Sequence, residues 1–65
     1  MSEAYIIKTD GILVFCEEEA RHNAEGSPIV EGTFEETTSS WTGTFTTDDG
    51  QVYEINDGYI IKEVA

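Results

Sequence analysis

The chain has 65 residues, with three Lys or Arg against fourteen Asp or Glu, and a formal net charge of −11. We expect one domain, 1–65; at this length it buries only about 60% of the surface that its unfolded chain exposes. A single Cys and a single His exclude a disulfide framework and a zinc site of four Cys or His ligands. With 38% hydrophobic residues, the composition indicates a folded domain rather than a disordered acidic tail.

The location is predicted from features that the sequence lacks. No run of 18 apolar residues occurs, so no transmembrane helix is expected. Residues 1–4 carry no basic segment before an apolar core, and we therefore expect no signal peptide. Both observations favour a cytoplasmic location, where a free Cys16 is ordinary.

The distribution of charge predicts the kind of partner. Lys8, Arg21 and Lys62 are the only basic residues, and none lies between His22 and Ile61. Nucleic acids and anionic membranes are both bound through cations. We therefore expect no direct binding of nucleic acid or membrane, and a basic protein surface as the complementary partner.

Three turn signals, Asp10-Gly11, Asp49-Gly50 and Asp57-Gly58, separate β-rich segments. Gly supplies a positive φ and Asp bonds to its own backbone, as hairpin loops require. The predicted strands are 4–8, 12–16, 29–36, 41–47, 51–55 and 59–64. Three-residue loops at the turns would pair Ile7 with Leu13, Phe45 with Tyr53, and Ile55 with Tyr59.

A fourth hairpin is predicted at Thr37–Ser40, between the third and fourth strands. It would place Phe34 opposite Gly43 and Gly32 opposite Phe45. An aromatic ring over a cross-strand glycine is a recurrent feature of sheets.

A short helix is predicted near 17–25; because only Cys16, Ala20 and Ala24 form an apolar line, a mobile loop is the alternative. Acidic residues Glu17–Glu19 begin it, Arg21 and His22 follow, and Gly26 comes after it, which complements the helix dipole. The predicted fold class is α+β or mostly β: a small antiparallel sheet of hairpins, five to six short strands, with one helix. The alternative is an SH3-like small β-barrel.

The third and fourth strands alternate in polarity, which predicts one buried and one solvent-facing side. The side predicted to be polar and free of cations consists of Glu31, Thr33, Glu35, Thr42, Thr44 and Thr46. Trp41 falls on the apolar side with Phe34 and Phe45, which favours a place in the core; the alternative is a hot spot for a partner, where Trp is enriched.

Catalysis is not expected. Cys16 and His22 are the only thiol-type nucleophile and base, but Cys16 ends an apolar run, a typical position for a buried, inert Cys. Three Glu follow it, whereas a reactive thiolate needs electropositive neighbours. No Gly-x-Ser-x-Gly motif or P-loop is present.

No metal or other cofactor is expected either. Phe45 and Thr47 stand before Gly50 where a calcium loop of the EF-hand type needs Asp or Asn, so Asp48 and Asp49 are interpreted as a turn. Glu31 and Glu35 would lie ~13 Å apart at about 3.3 Å per residue, too far apart for a glycosidase pair.

The charge itself suggests a function. Its magnitude exceeds the range of about 2–8 that serves solubility in a small domain, and charge of one sign lowers stability through self-repulsion. We therefore predict a carboxylate-rich partner-binding face. Its residues are Glu31, Glu35, Glu36, Asp48, Asp49, Glu54 and Asp57, with Thr42 and Thr44 as hydrogen-bonding groups.

Small size, strong acidity, β-hairpins and the lack of catalytic residues together resemble the general class of phage-encoded inhibitors that mimic nucleic acid. The resemblance implies a non-enzymatic inhibitor or adaptor that occupies a basic site on a restriction, repair or CRISPR enzyme. The alternative is a structural subunit or homodimer, because the first, second and last strands are apolar on both faces and could pair across a two-fold axis.

Overall fold

A computed structural model describes residues 1–38 and 40–64 of the chain. Its elements are β1 (Ser2–Ile7), β2 (Ile12–Val14), α1 (Glu17–Ala24), β3 (Ile29–Glu36), β4 (Gly43–Thr47), β5 (Val52–Asn56) and β6 (Tyr59–Glu63). The strands form a closed antiparallel barrel in the order β1-β2-β6-β5-β4-β3. The predicted small antiparallel sheet with one short helix is confirmed, and closure matches the SH3-like barrel alternative.

Two apolar clusters stabilise the fold. The barrel interior contains Ala4, Ile6, Leu13, Phe34, Phe45 and Ile55. The second cluster joins α1 to the outer side of β1 and β2, and contains Tyr5, Ile7, Val14, Ala20 and Ala24. Because successive side chains of a strand point to opposite sides, Ile6 enters the first cluster and Ile7 the second. This division explains why β1 is apolar on both faces.

The helix follows the predicted dipole pattern, with Glu17–Glu19 in its first turn and Arg21 and His22 in its last. The Arg21 guanidinium contacts the Glu17 carboxylate at 2.9 Å on the exposed side. The helix ends at Ala24, and Glu25 adopts a left-handed conformation at φ 51°. Within the described residues, no helix is long and apolar enough to cross a membrane.

The β4–β5 hairpin has the predicted register, with Phe45 opposite Tyr53. The β5–β6 prediction is wrong, because Asn56 opposes Tyr59 across a two-residue loop. Asp57 and Gly58 both have positive φ, 52° and 86°, which is typical of a type I′ turn. A bulge in the β5–β6 ladder then shifts the register by one residue.

The predicted β1–β2 register is also wrong. Ile7 opposes Ile12 rather than Leu13, across a four-residue loop over 8–11. The Gly11 N–H closes this loop by donating to the Ile7 carbonyl at 2.8 Å. The observed register places Leu13 in the barrel interior while Ile7 lies under the helix, whereas the predicted register would have put both on one side.

The connection between β3 and β4 differs most from its prediction. Phe34 opposes Phe45 rather than Gly43, so the connecting loop is six residues long, 37–42, and not four. The Thr37 N–H donates to the Thr42 carbonyl at 3.0 Å across its base. Ser39 of the predicted hairpin lies outside the described residues.

The barrel closes through a short seam between β2 and β6. Ile12 and Tyr59 are the one register pair there. Two hydrogen bonds flank the pair: Leu13 N–H to the Gly58 carbonyl at 2.8 Å and Ile60 N–H to the Gly11 carbonyl at 2.9 Å. Ile60 of β6 is partly buried and packs against the interior cluster, whereas the other residues of the strand are exposed.

Candidate protein-binding surface

The outer side of β3, β4 and β5 carries polar side chains because Phe34 and Phe45 point into the barrel and their neighbours in sequence point outward. We call this side the acidic face. It consists of Glu31, Thr33, Glu35, Thr44, Thr46 and Glu54, with the half-buried Val52 of β5 beside Thr46. The three carboxylates are exposed, which fits the prediction of a polar, solvent-facing side.

Threonines separate the carboxylates of the acidic face. Glu35 opposes Thr44, and Thr44 in turn opposes Glu54. Neighbouring strands are about 4.8 Å apart, so the Glu35 and Glu54 backbones are about 10 Å apart. Glu31 lies ~13 Å from Glu35 along β3 at about 3.3 Å per residue. A partner would meet three negative charges held apart by hydrogen-bonding hydroxyl groups.

A shallow depression of about 290 Å³ opens on the acidic face. Its lining residues are Met1, Thr33, Glu35, Thr44, Thr46, Thr47 and Asp48. The Thr, Glu and Asp side chains of the lining offer hydroxyl and carboxylate oxygens, which suit a cationic or hydrogen-bond-donating group, and Met1 adds its own ammonium group.

Asp48 and Asp49 lie at one end of this face, in the β4–β5 turn. The Thr47 hydroxyl donates to the Asp49 carboxylate, and the Gln51 N–H donates to the Thr47 hydroxyl oxygen at 2.9 Å. The Thr47 hydrogen bond lowers the pKa of Asp49 below its ordinary value of 3.8; backbone N–H groups and Lys8 add to the effect, and partial desolvation opposes it. Asp49 is thus ionised and also fixes the turn.

Glu36, Thr42 and Asp57 lie together at the opposite end of the barrel. The Asp57 N–H donates to the Thr42 hydroxyl oxygen at 3.2 Å, and that hydroxyl donates to the Ser40 carbonyl at 3.4 Å. The Glu36 carboxylate accepts the Trp41 N–H at 3.2 Å. These three predicted site residues hold the 37–42 loop against the β5–β6 turn. The nine predicted residues are therefore divided among the acidic face and the two ends of the barrel.

Two charged residues near the acidic face were not predicted to belong to it. Glu3 of β1 opposes Thr33 and extends the face by one strand. Lys62 of β6 opposes Glu54, so a cation lies at the other margin, although β3 and β4 carry none. Both placements depend on pairings that no local sequence pattern encodes.

Trp41 and Cys16 differ from their predictions. Trp41 was expected in the core, but it lies in the 37–42 loop and is 46% exposed. Cys16 was expected to be buried, but β2 ends at Val14, and Cys16 is an exposed residue at the start of the helix. In both cases a strand is shorter than its apolar pattern suggests.

The described part of the chain contains no group of three His, Cys, Asp or Glu side chains that could hold a metal ion. Comparison of the chain with protein-family models, curated proteins and solved structures returned no match. The function is therefore argued from the surface itself.

Proposed function

We propose that this protein is a non-enzymatic inhibitor or adaptor that binds a basic surface of another protein through the acidic face. The observation that supports the proposal is the placement of Glu31, Glu35 and Glu54 on one side of a closed barrel. The two strands that carry them, β3 and β5, are anchored from within by Phe34 and Ile55. A closed barrel fixes the backbone positions of these carboxylates before binding, so association does not pay to order the strands that carry them.

The net charge of −11 favours a partner that itself binds nucleic acid. Such proteins carry clusters of Lys and Arg that neutralise phosphates. An acidic face with separated carboxylates offers these cations alternative anions, and opposite potentials accelerate the encounter. The partner class we propose is a restriction, repair or CRISPR enzyme whose nucleic-acid site the protein occupies.

The experiment is affinity capture with the immobilised protein from a lysate of the source cells, followed by mass spectrometry and direct measurement of binding. We expect a basic partner that binds the wild type at low salt and not the double variant Glu31→Lys/Glu35→Lys. At about 1 M salt, where the Debye length is about 3 Å, binding should be strongly weakened. Binding that survives both the reversal and high salt would overturn the proposal.

A second candidate function is self-association as a homodimer or structural subunit. Tyr59, Ile61 and Val64 are large apolar side chains that are 53%, 59% and 52% exposed along and just after β6. A two-fold interface could cover them. Sedimentation at micromolar concentration tests this alternative, and a strictly monomeric species would contradict it.

A further inference from the structure

Three aromatic rings form a ladder from the barrel interior to the surface. Phe34 is buried and contacts Phe15 edge to face, with 5.7 Å between centroids. Phe15 contacts Trp41 in the same way at 4.9 Å. Phe15 and Trp41 are 39% and 46% exposed. A domain with so small a core thus leaves the only Trp of its sequence at the surface, although burying it would add stability.

The backbone of Trp41 is held in an unfavourable conformation. Ser40 and Trp41 have φ values of 53° and 62°, in the left-handed region that bulky residues avoid, at a cost of about 1 kcal/mol or more each. Two hydrogen bonds fix this conformation. Trp41 donates its N–H to Glu36 at 3.2 Å, and its carbonyl accepts the Gly58 N–H at 3.0 Å. Strain that is maintained in this way at an exposed aromatic residue is characteristic of binding sites.

A depression of about 540 Å³ lies beside the ladder, and we call it the aromatic groove. Its lining residues are Met1, Ser2, Phe15, Phe34, Glu35, Glu36 and Trp41. The volume falls within the range of about 300–1,000 Å³ that is usual for ligand sites. Aromatic rings thus line the same groove as two carboxylate-bearing side chains.

This combination is suited to one side chain above the others. A guanidinium is planar, stacks on aromatic rings, and forms paired hydrogen bonds with carboxylates. Trp is the best aromatic partner for a cation. An ammonium is more strongly hydrated and does not stack on aromatic rings. Lys would therefore bind the carboxylates but would interact less favourably with the Trp41 ring.

We propose that the aromatic groove binds the guanidinium of an arginine on the basic partner, stacked on Trp41 and neutralised by Glu35 and Glu36. The inference rests on the proposed function and names the partner side chain that it would recognise. The groove is continuous with the acidic face, because Glu35 and Met1 line both depressions. The acidic face would supply long-range attraction, and the groove would supply the choice of Arg over Lys.

The test uses three fluorescein-labelled peptides of the same length, containing several Arg, several Lys or several citrulline residues, with anisotropy measured at low salt. We expect the Arg peptide to bind at least about fivefold more tightly than the Lys peptide, and the neutral citrulline peptide not to bind. Trp41→Leu should reduce binding of the Arg peptide to the level of the Lys peptide.

Because Trp41→Leu could disrupt the 37–42 loop, a matched pair of variants provides a second test that leaves Trp41 in place. Glu36→Gln removes the charge but keeps an oxygen that can accept the Trp41 N–H. Glu54→Gln removes one charge from the acidic face, so both variants carry −10. We expect Glu36→Gln to weaken binding of the Arg peptide severalfold more than Glu54→Gln.

Equal binding of the Arg and Lys peptides, equal effects of the two Gln variants, or no binding of the Arg peptide would overturn this inference. None of these results would affect capture of a whole partner by the acidic face. Conversely, Trp41-dependent binding of the Arg peptide, combined with partner binding that ignores the reversal Glu31→Lys/Glu54→Lys, which leaves Glu35 and the aromatic groove intact, would overturn the proposed function alone.

Discussion

The ring of Phe45 lies against the α-carbon of Gly32. A Cβ atom at Gly32 would fall 2.7 Å from the Phe45 Cζ and 2.3 Å from the Thr46 carbonyl oxygen, too close for either contact. The two residues are diagonal neighbours, since Gly32 opposes Thr47 in the register. The missing side chain lets the fully buried Phe45 ring fill the barrel interior beneath the acidic face.

We expect Gly32→Ala to lower the free energy of unfolding by about 3 kcal/mol, because the interior is overpacked and the β3–β4 pairing must shift. Glu35→Ala, an exposed change on the same strand, should alter it by less than about 0.5 kcal/mol. Urea denaturation followed by far-ultraviolet circular dichroism measures both. A loss below about 1 kcal/mol for Gly32→Ala would contradict the contact.

Thr42 and Thr44 provide a matched comparison for the 37–42 loop. Thr42→Val removes one hydrogen bond to Asp57 and one to Ser40, so we expect a loss of about 1–2 kcal/mol. Thr44→Val replaces a residue on the acidic face whose hydroxyl makes no hydrogen bond among the described residues, and we expect a change near zero. Urea denaturation measures the free energy of unfolding of both variants. Equal losses would show that the two hydrogen bonds of the Thr42 hydroxyl do not stabilise the fold.

Trp41 fluorescence reports the charge around the aromatic groove, since this is the only Trp of the chain. The ring is 46% exposed and shares its groove with Glu35 and Glu36. We express each quenching constant relative to that of free N-acetyltryptophanamide with the same ion. At low salt we expect a higher relative constant for the caesium cation than for iodide, because the local potential is negative. Added sodium chloride should bring the two relative constants closer together through screening. A higher relative constant for iodide at low salt would contradict an acidic environment.

Ionisation of Tyr5 is expected to lower the free energy of unfolding at alkaline pH. Burial, with further contributions from Glu3, Glu17, Glu31 and Cys16, raises the pKa of Tyr5 above its ordinary value of 10.0. A raised pKa means that the folded state holds the proton more tightly. The resulting stability is therefore fully present below pH 10.0 and is lost as the pH rises through the folded-state value.

We expect Tyr5→Phe to lose less stability than the wild type between neutral pH and about pH 11. Urea denaturation at several pH values provides the comparison. Identical alkaline profiles for Tyr5→Phe and the wild type would contradict the expected linkage.

The sequence predicted the strands better than their pairing, and the residues show why. A slip of two residues leaves every side chain on its own face, so alternation could not distinguish Phe34 opposite Gly43 from Phe34 opposite Phe45. In β1 and β2 both faces are apolar, as Ile6 and Ile7 illustrate. The hydrophobic pattern of these strands therefore could not distinguish two registers that differ by one residue. The β4–β5 hairpin was predicted correctly because its polar and apolar faces differ clearly.

The same reasoning applies to the site. Glu31, Glu35, Thr44 and Glu54 could be assigned to one face because they belong to neighbouring hairpins. Glu3 reaches this face only through β1–β3 pairing, between strands far apart in sequence, and Lys62 only after a bulge. Trp41 could not be placed, because its exposure depends on the length of a loop that alternation does not determine.

We expect the position of the carboxylates, and not the total charge alone, to determine binding. The most direct measurement compares the affinity of the captured partner for the wild type, Glu31→Lys/Glu35→Lys and Glu18→Lys/Glu19→Lys. Each reversal adds two charges, so both double variants carry −7, but Glu18 and Glu19 are exposed on the helix and not on the strands that form the acidic face. We predict loss of binding for the variant on the acidic face and near-wild-type affinity for the helix variant at physiological salt. Equal affinities of the two variants would contradict the claim.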